Sequence, residues 1–109
     1  MNSSDIPPLP DSLTIKKSPV DGLGLFSTEF IEAGTKLGVS HIRDSRFENG
    51  FIRTPLGGFV NHSDEPNCKF VLVKGDFPIA KEGQTMELVT IKDITTGEEL
   101  VTKYWLYTL

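Results

Sequence analysis

The chain has 109 residues, 38% hydrophobic and 24% charged, a size and balance that suit one globular domain with a single modest core. Eleven basic residues against fifteen acidic ones give a net charge of −4, which disfavours a general nucleic-acid binder and suits a basic partner or a cationic ligand. One cysteine and two histidines exclude an internal disulfide framework and a Cys/His zinc cluster, so no metal is expected and a reducing, intracellular setting (cytoplasmic or nuclear) is the simpler expectation.

In chain order, residues 1–12 read as a flexible, proline-rich arm, because Pro7, Pro8 and Pro10 cannot donate to a ladder. The opening "MNSSDIPPLPDS" lacks the charged start and apolar run of a signal peptide, and no stretch approaches the ~20 apolar residues of a membrane span, so no membrane partner is expected. Residues 13–109 read as one mainly β domain of short strands and tight turns. "LTIKKS" alternates Leu13 and Ile15 with Thr14 and Lys16. "GLGLFST" follows the turn Pro19-Val20-Asp21-Gly22, and "TKLGVS" follows Glu32-Ala33-Gly34. "STEFIEAG" between them has room for a turn or two of helix capped by Ser27 or Thr28. His41 to Gly58 shows no period and reads as irregular. "CKFVLVKG" sets Phe70 and Leu72 against Lys69 and Val71, "TMELVTIKDI" sets Met86 and Leu88 against Glu87 and Val89, and "EELVTKYW" closes the pattern after Thr96-Gly97.

Three segments carry polar chemistry. In "DGLGLF", Gly22 and Gly24 stand two apart, but Ser27 occupies the place of a third glycine and a strand follows, which excludes a dinucleotide fingerprint. The pair reads either as a turn needing positive φ or as bare backbone against a ligand. "FVNHSDEPNC" crowds hydrogen-bonding side chains between apolar flanks. It reads either as a turn bonding its own backbone or as a site whose polar groups a ligand satisfies. A Cys68–His62 nucleophile pair is a further reading, without an evident orienting third group. In "GEELVTKYWLY", Glu98 and Glu99 are adjacent in a strand and face opposite ways, which argues against paired-carboxylate chemistry; Tyr104, Trp105 and Tyr107, taken singly, read as core aromatics.

Taken together and in order, these segments resemble the SET-domain family of lysine methyltransferases. "KKSPVDGLGLFSTEFIEAGTKLG" looks like the family's opening, "FVNHSDEPNC" is similar to its F-I-N-H-S-x-x-P-N signature, and "LVTIKDITTGEELVTKY" resembles its closing I-x-x-G-E-E-L-x-x-x-Y. The resemblance implies a β-clip-like SET fold: several small curled sheets, with the C-terminal segment threaded as a pseudoknot through a loop near the N-H-S turn. It implies S-adenosylmethionine as methyl donor. Gly22, Leu23 and Gly24 would offer backbone to the donor's amino-acid end, Asn61 and His62 would hold it, and Tyr104 would stand at the methyl-transfer centre, touching the donor and acting as the catalytic residue. Phe59, Thr102, Trp105 and Tyr107 would line the substrate channel. The transfer so implied is a single displacement whose rate rests on collinear alignment at ~3–3.5 Å. The implied partner is a protein with an exposed lysine, a chromatin histone tail being the family's usual substrate.

The chain departs from the family pattern at Thr102, where an aromatic is usual, at Lys103, where an acid is common, and at Asp64, where Cys is frequent. Only Ser40 to Phe59 fill the usual groove-building insert, so a homodimer, with Phe47 and Phe51 at its contact, is one way to complete the channel. Two alternatives stand beside the enzyme: a SET-like module that binds donor or a basic peptide without turnover, and a plain β scaffold.

Overall fold

A computed structural model of the chain describes residues 9–43, 51–73 and 85–103. Among the described residues, eight strands and one short helix follow in the order β1 (Leu13–Lys17), β2 (Leu23–Ser27), β3 (Lys36–Arg43), β4 (Phe51–Arg53), α1 (Pro55–Gly58), β5 (Asn61–His62), β6 (Cys68–Val73), β7 (Thr85–Thr90) and β8 (Glu99–Thr102). The strands pair in the order β1-β2-β8-β6-β7-β3-β4, with β5 also on β8. Residues 9–12 are held to the body: the Thr28 hydroxyl donates to Asp11 O at 2.7 Å, its amide donates to Ser12 O at 2.8 Å, and Leu9 packs on the core. Residues 1–8 of the expected arm lie outside the described residues.

β6 and β7 form the most regular pair, antiparallel from Cys68↔Thr90 to Val73↔Thr85. Met86, Leu88 and Thr90 turn inward, as period-two alternation requires. On β6 the expected inward set holds for Phe70 but not for Leu72, which is 50% exposed. β3 extends three residues past the predicted "TKLGVS" into the stretch read as irregular, and β4 and α1 fill more of that stretch. Two bulges on β3, between Lys36 and Gly38 and between Val39 and His41, are the physical reason. Each extra residue breaks the two-residue period, so Leu37, Ser40 and His41 are all buried. No helix forms over "STEFIEAG". Ser27 ends β2, its hydroxyl donating to Thr95 O at 2.5 Å, and Ile31 makes an isolated bridge to Ile94.

β8 is the keystone of the topology. It pairs antiparallel with β2 through Leu25↔Leu100 and Phe26↔Glu99, parallel with β5 through Asn61↔Val101 and His62↔Thr102, and parallel with β6 through Cys68↔Thr102. The end of β8 therefore lies between two strands joined by the 63–67 turn. The onward passage of residues 104–109, where the expected threading would occur, falls outside the described residues. Leu25, Leu88, Ile94 and Leu100 have no exposed surface and form the centre of the core. Fully burying each such side chain contributes about 1.5–3 kcal/mol. α1 begins at Pro55, where a missing N–H costs nothing. It is anchored by the Thr54 hydroxyl on Val39 O at 2.7 Å, and it delivers the chain to β5. Among the described residues no helix is long and apolar enough to cross a membrane.

Candidate functional site

The site is built first from a turn. The Ser18 amide donates to Gly22 O at 2.7 Å, and the Ser18 hydroxyl oxygen accepts from the Val20 amide at 2.9 Å. Gly22 sits at φ +43°, a left-handed conformation that a side chain would strain. Gly24 is needed for a different reason. A Cβ there would collide with the Glu99 carboxylate and lie 3.1 Å from Asn61 Nδ2. One glycine of the pair thus serves the turn and the other serves close approach.

Asn61 reaches this loop from β5. Its Nδ2 donates to Asp21 O at 3.1 Å, Leu23 O at 3.2 Å and Glu99 Oε2 at 2.9 Å. All three neighbours are acceptors, so chemistry alone decides that the NH₂ faces them and Oδ1 faces away. Glu99 comes from β8 and also accepts from the Ser18 hydroxyl, at 2.9 Å and 2.8 Å to its two oxygens. Residues 18–24, 61 and 99, far apart in the chain, therefore converge on one polar cluster. Leu23 lies at its rim, half exposed.

The rest of the "NHSDEPN" run is mostly occupied with its own fold. The Ser63 amide donates to Thr102 O at 2.9 Å, and Ser63 Oγ accepts from the Glu65 amide at 3.0 Å. Asn67 is buried and clamps β8: its Nδ2 donates to Glu99 O at 2.9 Å and Glu98 Oε2 at 3.2 Å, while its Oδ1 accepts from the Val101 amide at 2.8 Å. The exposed His62 ring places Nε2 3.5 Å from Asp64 Oδ1.

The Cys68–His62 nucleophile pair is corrected by this geometry. Cys68 has no exposed surface, and burial, with the charge of Glu98 behind it, pushes its thiol up to about 12. It is a small core side chain, not a thiolate. Glu98 lies just before β8, and its carboxylate keeps partners different from those of Glu99. The Glu98 carboxylate accepts from the Thr95 amide at 2.9 Å and the Thr95 hydroxyl at 3.1 Å, besides Asn67. Hydrogen bonding, foremost from the Thr95 amide, holds that carboxyl below the usual glutamate range.

Of the four residues expected along a channel, Phe59 packs partly buried against the core. Thr102 is fully buried beside Cys68, and its Oγ1 has no hydrogen-bond partner. Trp105 and Tyr107 lie outside the described residues, as do Tyr104 and Phe47 and the Phe51 side chain. Ser18, Asn67 and the separate role of Glu99 escaped the reading of the sequence. The signal for Glu99 was present: if adjacent glutamates face opposite ways, one of them must face whatever lies across from β8.

Against known proteins, the family model for the SET domain matches residues 39–105, more than half of the chain. Solved structures with the same fold include a proposed histone methyltransferase of Plasmodium falciparum, with a TM-score of 0.67 and 23% identity over 84% of this chain and 96% of that one. The Neurospora SET domain protein DIM-5, a histone lysine methyltransferase, gives a TM-score of 0.66 and 19% identity over 84% of this chain and 51% of that one. A Polycomb Repressive Complex 2 of Chaetomium thermophilum, in an autoinhibited conformation bound to S-adenosylmethionine, gives 0.64 and 20% over 85% of this chain and 15% of that one. This chain therefore spans about half of the Neurospora chain and a small part of the Polycomb chain. No curated protein sequence matches it.

Proposed function

The chain belongs to the SET-domain family, and from that premise we propose that it is a protein-lysine methyltransferase using S-adenosylmethionine. The observation that carries the proposal is the Asn61 side chain closing, from across β8, on the Asp21 and Leu23 carbonyls that bracket Gly22. The residues present fit such a donor: Gly24 lets the Glu99 carboxylate and the Asn61 amide close on the loop where a Cβ would collide, and with its NH₂ directed at three acceptors Asn61 turns Oδ1 away from its own loop. When bound, the donor supplies an electrophilic methyl on a positively charged sulfur. Gly22, Leu23 and Gly24 would offer it backbone, and Asn61 with the His62 backbone would hold its amino-acid end.

Tyr104 stands two places after Thr102, the last residue of β8. Its hydroxyl would orient the incoming lysine amine. Free lysine holds its proton up to about 10.4, so the site must favour the neutral amine, and apolar walls such as Phe59 do so by desolvation. A proton can then leave through water without a strong protein base. The substrate class is a protein with an exposed lysine. Histone tails are the first to test, given the histone methyltransferases that share the fold, and the exposed Asp64 and Glu65 suit a basic segment.

The test is transfer of radiolabelled methyl from S-adenosylmethionine to histones and to total cell protein, with calorimetry of donor binding in parallel. Tyr104→Phe is expected to lower turnover by about 10²-fold while donor affinity stays within about twofold. Donor binding without transfer to any protein would support the binding module instead, and no donor binding would leave only the scaffold.

A further inference from the structure

Glu99 enters the proposed function only as a neighbour of Asn61, yet its carboxylate is where the turn, β5 and β8 are joined. We propose that Glu99, steadied by Ser18, is a positioning residue that fixes the Asn61 amide with its oxygen outward, so that the site selects the ammonium end of the methyl donor. The inference rests on the donor reading above.

An asparagine amide can turn over within the same volume, so shape alone does not decide which end faces the loop. Turned over, Asn61 would set Oδ1 against Asp21 O, Leu23 O and Glu99 Oε2, three contacts between acceptors. The two carbonyls resist this moderately. The carboxylate resists it most, because hydrogen bonds to a charged acceptor are about twice as strong as neutral ones. With both N–H groups spent inward, Oδ1 is left, and no described residue donates to it. An outward carbonyl oxygen accepts from an ammonium group and repels a carboxylate. The site therefore has a polarity, and Glu99 sets it.

Two features seat Glu99. The single Ser18 proton goes to the carboxylate while the Ser18 oxygen takes the Val20 amide, so the hydroxyl is fixed at both ends. Gly24 supplies the space, since a Cβ at that position would fall on Glu99 Oε2. This also accounts for a glycine at 24, where φ is not positive.

The experiment measures binding rather than turnover. Calorimetry compares S-adenosylhomocysteine, which carries the ammonium group, with its desamino analogue, on the full chain. The wild type is expected to prefer the ammonium ligand by about tenfold or more. Glu99→Gln, which leaves the two carbonyls and a neutral acceptor in place, should weaken that preference by about threefold or more while changing affinity for the desamino analogue by less than about twofold, and Ser18→Ala should weaken the preference by a smaller factor. Equal losses for both ligands in Glu99→Gln, or none for either, would overturn the inference while leaving the donor reading intact. A wild type that binds both ligands equally would do the same. A wild type that binds neither ends the donor reading and the inference with it. Independently of any ligand, the Asn61 side-chain amide protons should resonate apart from the free-amide position and move toward it in both variants; unchanged signals would also overturn the inference.

Discussion

His41 gives the sharpest thermodynamic prediction, because a buried imidazole is a proton-binding site that folding removes. The residue lies on β3, paired with Arg53 on β4 and Met86 on β7, and is 3% exposed. Its ring meets the Phe70 ring edge-on, with centroids 4.9 Å apart. Ser40 Oγ lies 2.9 Å from Nδ1, and its hydroxyl reaches Met86 O at 3.1 Å. Burial first, and the nearby Arg53 guanidinium second, lower the His41 value from the ordinary 6.5 to about 4. At 1.36 kcal/mol for each tenfold change in proton affinity, that difference corresponds to about 3 kcal/mol.

The sign follows from which state takes the proton. Between pH 6.5 and about 4 the unfolded chain has a protonated His41 and the folded chain does not. Stability is therefore complete above 6.5, falls as pH drops through that window, and loses nothing further from this group below about 4. Urea unfolding of the wild type and of His41→Phe, at several pH values from 7.5 to 4, isolates the effect, since subtracting the variant removes every other titrating group, Glu98 included. The difference between the two proteins should shrink by about 3 kcal/mol across the range. Parallel curves would refute the reasoning. So would an imidazole proton signal for His41 that titrates near neutrality in the folded protein, a measurement that does not need the variant to fold.

Asn67→Ala should cost about 3 kcal/mol in urea unfolding, because it leaves the Val101 amide and the Glu99 carbonyl without their partners and opens one edge of β8. A loss under about 1 kcal/mol would mean that water replaces the side chain. The two loop glycines should separate in a paired experiment. Gly22→Ala, at φ +43°, should lower stability by about 1–2 kcal/mol through backbone strain, while Gly24→Ala should cost about 1 kcal/mol through the displaced Glu99 bonds and should weaken donor binding as well. Cys68 should resist an aromatic disulfide reagent in the native protein and react only as fast as the chain opens; rapid native labelling would contradict its burial.

Legibility in the sequence followed the physics of each element. β7 was readable because its inward residues, Met86 and Leu88, keep strict alternation against a regular partner. β3 was readable only as far as Ser40, because its two bulges destroy the period that would have carried it on, and His41, polar yet buried, looks like a loop residue. The placement of β8 between β5 and β6 was out of reach for pattern reasoning. Parallel pairings such as Asn61↔Val101 join segments about forty residues apart and leave no local trace; that expectation came only from resemblance. In the polar run, the side chains divide between two protein partners. Ser63 and Asn67 bond the fold itself, and Asn61 bonds the glycine loop. Composition could not divide them, because the same side chains serve either purpose.

The two asparagines that flank β8 show why neither position suits a carboxylate of the same shape. Asn67 must donate to the Glu99 carbonyl and the Glu98 carboxylate while accepting from the Val101 amide. Only a carboxamide both gives and takes at that distance. An aspartate would keep the bond from Val101, lose the other two and set its charge against Glu98. Asn61 must donate to two carbonyls and the Glu99 carboxylate. An aspartate there would face three acceptors with no proton to offer. Glu99 is thus held from both edges of the strand, by its backbone through Asn67 and by its side chain through Asn61. The same contacts that lock β8 into the sheet orient the group that faces the glycine loop, so the stability of this strand and the polarity of the site arise from one arrangement of hydrogen bonds.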